Sequence, residues 1–160
     1  MKTRGRRRES YNTVGYCDGC VEIFGILQRK RVWVVVSDTK LALLYNEIAQ
    51  ARGNRKVALL NALAEKLQKE NVGEALAVVT KAYDLTLKLL SAQWKKHGRQ
   101  GDPADIEHVV RYADNYPDYI CGLANSCYIT GRCHTLLSNT AEAALFLAQA
   151  RTLYEALRDG

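Results

Sequence analysis

Cys17 and Cys20 have the spacing of a metal-binding pair, with Asp18 and Gly19 between them. Two thiolates separated by two residues can hold one tetrahedral zinc ion, and the glycine permits the tight turn. A structural zinc site needs two further ligands, and the sequence contains no second Cys-x-x-Cys. A cysteine can equally serve as a small buried apolar residue, so both interpretations stay open. Zinc is the only cofactor that the sequence suggests.

Residues with catalytic chemistry do not fall into a catalytic pattern. The three histidines stand far apart, and His108 beside Glu107 could act as an acid–base pair only with a partner that the sequence does not locate. The sequence has no Gly-rich phosphate loop, no Gly-x-Ser-x-Gly and no His-Glu-x-x-His. We therefore expect a protein that is not an enzyme.

Positive charge is concentrated in three clusters, and the net charge is +6. A phosphate backbone selects clustered cations because each neutralised phosphate releases condensed counterions, although solvated tails and faces give the same pattern. We predict that the clusters bind nucleic acid, RNA in particular. The predicted contact residues are Arg4, Arg6, Arg7, Arg8, Arg29, Lys30, Arg31, Lys95, Lys96 and Arg99. Tyr112, Tyr116 and Tyr119, which cluster just after Arg111 in the sequence, could stack unpaired bases or pack their rings against helices.

The number of cysteines and the residues at the start of the sequence indicate the cellular compartment of the protein. Five cysteines form an odd set, and the basic first residues are not followed by the apolar stretch of an export signal. Reduced thiols and a cytoplasmic location are the expectation. The longest apolar runs, such as residues 32–36, are much shorter than the roughly 18–20 residues that span a bilayer, so we expect no membrane contact.

Apolar residues recur at helical spacing from residue 38 onward. Leu41, Leu44, Ile48 and Ala51 form the first stripe, and the longest predicted helix covers residues 72–96. With 160 residues and 48% hydrophobic content, the chain can bury one core. The pattern predicts an all-α, compact bundle of about six helices, with a basic arm over residues 1–10 and a single helical domain over residues 11–160.

Capping residues predict several helix ends. Asn71 with Glu74, and Asn139 with Glu142, resemble capping boxes. Asp102 before Pro103 is a further start signal. Pro117 should open a helix over residues 117–129 that Gly131 ends, and a last helix should cover residues 140–158.

The start of the chain, up to residue 38, allows two structures. Val14, Cys17, Val21, Phe24 and Leu27 have helical spacing, but three glycines weaken a helix there. Residues 21–27 and 32–37 could instead pair as a short β-hairpin, which the β-branched run 32–36 favours.

Two family resemblances suggest functions. Residues 70–77, Glu-Asn-Val-Gly-Glu-Ala-Leu-Ala, followed by Tyr83 and by Trp94-Lys95-Lys96 before a Gly-Asp loop, resemble the small α-helical subunits of type III CRISPR RNA-guided effector complexes. That resemblance implies a non-catalytic subunit of a ribonucleoprotein that contacts the phosphate backbone and other protein subunits.

The second resemblance comes from a pattern that occurs twice. Asn71, Glu74, Ala75, Ala82 and Leu85 are matched, in the same order and spacing, by Asn139, Glu142, Ala143, Ala150 and Leu153. The offset is twice the period of tetratricopeptide repeats, and the pattern is similar to their helix pairs. This resemblance implies a protein–protein interaction adaptor.

Overall fold

Helices make up most of residues 37–159, the part of the chain that this computed structural model describes. They are α1 (Ser37–Gln50), α2 (Gly53–Leu67), α3 (Val72–Lys96), α4 (Ile106–Val110), α5 (Pro117–Leu136) and α6 (Thr140–Asp159), with a short 3₁₀ turn at Ala113–Asn115. No strand occurs within these residues, so the predicted all-α bundle of six helices is confirmed for them. Within the same range no helix is long and apolar enough to cross a bilayer. The arm of residues 1–10, the helix or hairpin of residues 11–36, and Cys17 and Cys20 lie outside the described residues.

The predicted helix over residues 72–96 has the predicted bounds. Asn71 caps it, because its side-chain Oδ1 accepts a hydrogen bond from the Glu74 backbone N–H at 3.1 Å. This bond satisfies one of the first-turn donors that have no partner inside the helix. At the start of α6, the side-chain nitrogen of Asn139 lies 3.3 Å from His134 Nδ1.

Asp102, which the sequence predicts as the start of a helix, forms a turn. Asp102 Oδ1 accepts from the Ala104 N–H at 2.9 Å, and the helix begins only at Ile106. Its cap is Asp105, whose Oδ1 accepts from the Glu107 N–H at 3.0 Å.

The prediction that Gly131 ends a helix was wrong. Helix α5 continues through Gly131 to Leu136. A Cβ atom on Gly131 would lie only 2.7 Å from Leu147 Cγ, so the glycine permits the close approach of α6. A contact with a side chain of the next helix therefore outweighs the local helix-ending preference of glycine.

Buried side chains form two clusters, and α5 contributes to both. Cys133 and Ile129 of α5 pack with α1, α2 and α3, whereas Ile120 and Leu123 pack with α3, α4 and α6.

A buried polar link joins α2 to α5. Asn61 Nδ2 donates to the Gly122 carbonyl at 3.1 Å, and Asn61 Oδ1 accepts from Ser126 Oγ at 2.9 Å. Because buried polar groups must be paired, this link fixes how the two helices align.

Candidate nucleic-acid interface

The solvent side of α3, with the turn that follows it, carries five exposed cations. These are Lys81, Lys88, Lys95, Lys96 and Arg99, which we call the basic face. Lys81, Lys88 and Lys95 recur at every seventh position, which is about two helical turns, so they point to the same side at intervals of about 10.5 Å. The row from Lys81 to Lys95 is about 21 Å long at 1.5 Å per residue.

Negative charge within this part of α3 is sparse. Asp84 is the one carboxylate between Lys81 and Lys96 in the sequence. The two ion pairs found among residues 40–158 are Asp105–His108 and Arg151–Glu155, so no member of the basic face belongs to either. Residues 37–159 contain 15 Lys or Arg and 14 Asp or Glu. The described helices are therefore nearly neutral as a whole, and the basic face is a local concentration of positive charge.

The helix dipole accounts for only part of this concentration. Lys95 and Lys96 lie in the last turn of α3, where a cation gains roughly 0.3–1 kcal/mol from the partial negative charge of the free carbonyls. Lys81 and Lys88 lie in the interior of the helix, where this gain is absent. The regular row of lysines is not explained by stabilisation of the helix end.

A glycine turn holds Arg99 against the last turn of α3. Gly98 has a positive φ of 63°, its N–H donates to the Lys95 carbonyl at 3.3 Å, and the Arg99 N–H donates to the Trp94 carbonyl at 2.9 Å. This is the Schellman pattern of a helix end, which requires a left-handed residue that glycine adopts without strain. The Arg99 guanidinium then lies 4.8 Å from the centre of the Tyr112 ring, a cation–π contact that holds it in place.

The tyrosines near Arg111 pack against the end of α3. Tyr112 meets Trp94 edge-on at 5.4 Å, and Tyr116 is buried and meets Tyr119 at 6.4 Å. The side-chain amide of Gln93 donates to the Tyr119 hydroxyl at 3.2 Å. Of the two roles left open by the sequence, the structure shows ring packing, which supports the turn that carries Arg99.

The ten predicted contact residues divide between the described and undescribed parts of the chain. Lys95 and Lys96 are exposed at the end of α3, and Arg99 is exposed in the turn that follows. Arg4, Arg6, Arg7, Arg8, Arg29, Lys30 and Arg31 lie outside the described residues. Sequence reasoning missed Lys81 and Lys88, because it searched for consecutive charges. Their recurrence after two helical turns was the signal that could have found them.

Histidines and cysteines of the described residues have structural neighbours. His108 Nδ1 lies 2.8 Å from Asp105 Oδ2, and this hydrogen bond is the main reason that the pKa of Asp105 is lowered. The neighbour of His108 is therefore Asp105 and not Glu107. His134 stacks on Phe146 at 5.8 Å, and Cys133 Sγ accepts from Gln68 at 3.4 Å. Within residues 37–159, no three side chains of His, Cys, Asp or Glu are grouped so as to hold a metal ion.

Comparisons with protein-family models, with curated proteins and with solved structures give no match for this chain.

Proposed function

We propose that this protein is a non-enzymatic helical subunit that binds the phosphate backbone of a nucleic acid, RNA in particular, within a larger protein assembly. One observation carries the proposal: the basic face has five exposed cations, while the described helices as a whole carry almost balanced charge. An even distribution would serve solubility, whereas a row on one helix suits an extended polyanion.

The chemistry of lysine supports contact with a backbone rather than with particular bases. A lysine ammonium is a compact charge on a flexible stem, and it binds phosphate without the fixed two-point geometry of arginine. Four of the five cations of the basic face are lysines. The proposed binding is therefore independent of base sequence and falls as salt rises.

A filter-binding or anisotropy titration of a labelled single-stranded RNA tests the proposal. The decisive variant is Lys88→Glu with Lys95→Glu in the full chain. Loss of two phosphate contacts should lower the slope of log affinity against log salt by about 1.4 for single-stranded RNA. The added carboxylates should repel the RNA further, so we expect affinity to fall by more than tenfold at 100 mM salt.

A matched control is Lys66→Glu with Lys69→Glu, which makes the same charge change at exposed positions of α2 and the turn after it. We expect this control to keep most of the RNA affinity. A third variant that lacks residues 1–9 measures the contribution of Arg4, Arg6, Arg7 and Arg8. The proposal fails if affinity does not depend on salt, or if the control weakens binding as much as the α3 variant.

A second candidate function, the protein–protein interaction adaptor, is favoured by exposed large apolar side chains. Leu136 and Leu137, at the turn between α5 and α6, are 56% and 43% exposed. Tyr128 and Tyr154, which lie on these two helices, are also exposed. Where such side chains adjoin and form a patch, the surface is typical of a site where another protein binds.

A further inference from the structure

A groove between α5 and α6 has a composition unlike that of the basic face. It holds about 440 Å³ and lies between Tyr128 of α5 and Leu147, Ala150 and Tyr154 of α6. Arg151, Glu155 and Arg158 complete its α6 side. We call it the tyrosine groove. Its volume is in the range of about 300–1,000 Å³ that is typical of binding pockets.

Both tyrosines are held in place while their rings stay accessible. Tyr128 is 42% exposed and Tyr154 is 38% exposed. The Tyr154 hydroxyl donates to Asn125 Oδ1 at 2.6 Å, and the Arg132 guanidinium lies 5.7 Å from the centre of the Tyr128 ring. Burial, and to a lesser degree Cys121 and Tyr128, raise the pKa of Tyr154, so its hydroxyl remains a donor at neutral pH. Side chains that are already ordered lose less entropy when a ligand binds.

Guanidinium groups lie at the edges of the tyrosine groove. Arg132, Arg151 and Arg158 supply three guanidinium groups, and Glu155 is the carboxylate on its wall. Arg151 is 80% exposed and uses its Nε to donate to Glu155 at 2.7 Å, so its terminal nitrogens keep their N–H donors. Glu65 of α2 is close enough to contribute to the raised pKa of Tyr154. The five side chains named here have a formal net charge of +1.

Residue types in the tyrosine groove favour a protein over a nucleic acid. Tyrosine and arginine are the side chains that most often dominate protein–protein binding, whereas lysine is depleted from such interfaces. None of the described residues that line the tyrosine groove is a lysine, and the lining is formed mainly by apolar atoms. The α6 wall from Leu147 to Arg158 is about 16 Å long, or three helical turns. This length fits the apolar residues at i, i+4 and i+7 of a docked helix.

We infer that the tyrosine groove docks an acidic amphipathic helix of a partner protein. The apolar anchors of that helix lie between Tyr128 and Tyr154, and its carboxylates face Arg132 and Arg151. This interaction is independent of nucleic-acid binding by the basic face.

Two synthetic peptides of about 15 residues provide the test, each an alanine-based helix with leucine at i, i+4 and i+7. The acidic peptide carries glutamates beside the leucine stripe, and the basic peptide carries lysines at the same positions. Each is titrated into the full ¹⁵N-labelled chain and followed by NMR. We expect the acidic peptide to cause saturable shift changes at Tyr128, Leu147 and Tyr154, and to bind at least tenfold more tightly than the basic peptide.

The variants Tyr128→Ala and Tyr154→Ala should each lower the affinity for the acidic peptide at least tenfold, while the circular dichroism spectrum of the protein stays unchanged. The matched control is Tyr45→Ala, since Tyr45 on α1 is also exposed, at 45%, and also donates to an acceptor, Glu74 Oε1 at 3.3 Å. Equal binding of both peptides, or the absence of saturable changes in the tyrosine groove, would overturn the inference. So would changes at Tyr128 and Tyr154 caused by single-stranded RNA, or by raising the concentration of the protein alone.

Discussion

The basic face and the tyrosine groove are two exposed surfaces that differ in how their side chains are held. Lys81, Lys88 and Lys95 form a regular row, and no ion pair among residues 40–158 restrains them. Tyr154 is fixed by a 2.6 Å hydrogen bond, and Tyr128 has a guanidinium beside its ring. Flexible charges suit a ligand whose charge repeats along its length, whereas fixed aromatic rings suit a ligand of one shape. The comparison indicates that ligand binding by the basic face depends on charge, whereas ligand binding by the tyrosine groove depends on geometry.

The largest expected difference between the two surfaces is in how strongly salt weakens ligand binding. Raising salt from 50 to 200 mM should weaken single-stranded RNA binding by at least about 100-fold, provided that all five cations of the basic face contact phosphates. The same change in salt should lower the affinity for the acidic peptide by only a few-fold, because exposed ion pairs contribute little and apolar contacts are not screened. Parallel anisotropy titrations of both ligands measure this difference. An equally steep loss for the peptide would show that its binding is electrostatic throughout.

The substitution Gly131→Ala should damage the tyrosine groove and leave the basic face intact. The new Cβ would lie 2.7 Å from Leu147 Cγ and 3.2 Å from the Leu147 backbone nitrogen, so α6 has to move. Overpacking of this kind costs roughly 1–3 kcal/mol, which exceeds the roughly 0.5–1 kcal/mol that alanine gains over glycine within a helix. We expect lower stability in urea unfolding and weaker peptide binding, with unchanged RNA affinity.

The matched control for this substitution is Gly73→Ala in the first turn of α3. Its Cβ would have an ordinary 3.6 Å contact with Asn71 Oδ1, so it should keep or raise the free energy of unfolding. If both glycine variants behave alike, close approach of α6 is not the reason that position 131 is a glycine.

Local signals made α3 predictable from the sequence. Asn71 provides the cap, the apolar residues keep one period, and Gly98 provides the left-handed turn after the last lysines. Each of these signals acts within about one turn of the helix, so sequence reasoning can recognise them. The end of α5 depends instead on Leu147 of another helix, and so its prediction was wrong at Gly131.

The contrast between signals within one helix and contacts between helices also explains why the two surfaces could be predicted to different degrees. Three of the five cations of the basic face could be predicted because Lys95, Lys96 and Arg99 are neighbours in sequence. The tyrosine groove could not, because Tyr128 and Tyr154 lie on different helices and meet only when α5 and α6 pack together. A surface made by two helices has no spacing pattern within either one.

Cys121 can report on the occupancy of the tyrosine groove. Its thiol is exposed and lies 3.6 Å from the side-chain nitrogen of Asn125, the residue that holds Tyr154. Acidic peptide at ten times its Kd should slow the modification of Cys121 by iodoacetamide about tenfold by mass action, whereas RNA should not slow it. Peptide mapping by mass spectrometry measures the rate.

Cys127 provides an internal control in the same experiment. Burial raises its pKa to about 12, so at pH 7.5 its thiol is protonated and enclosed, and it should not react. Protection of Cys121 by RNA would contradict the separation of the two surfaces. Modification of Cys127 would show that the helices open under the conditions used.

The smallest expected effect comes from removing one hydroxyl. Tyr154→Phe keeps the ring but removes the hydrogen bond to Asn125, which is worth roughly 0.5–1.5 kcal/mol. Because the ring is then free to turn, peptide affinity should fall about fivefold, less than for Tyr154→Ala. The corresponding small change on the basic face, Lys88→Arg, keeps the charge and alters the geometry, so RNA affinity should change by less than about twofold. Isothermal titration calorimetry resolves both. If Lys88→Arg changes RNA affinity more than Tyr154→Phe changes peptide affinity, geometry matters more on the basic face, and the proposed contrast between the surfaces is reversed.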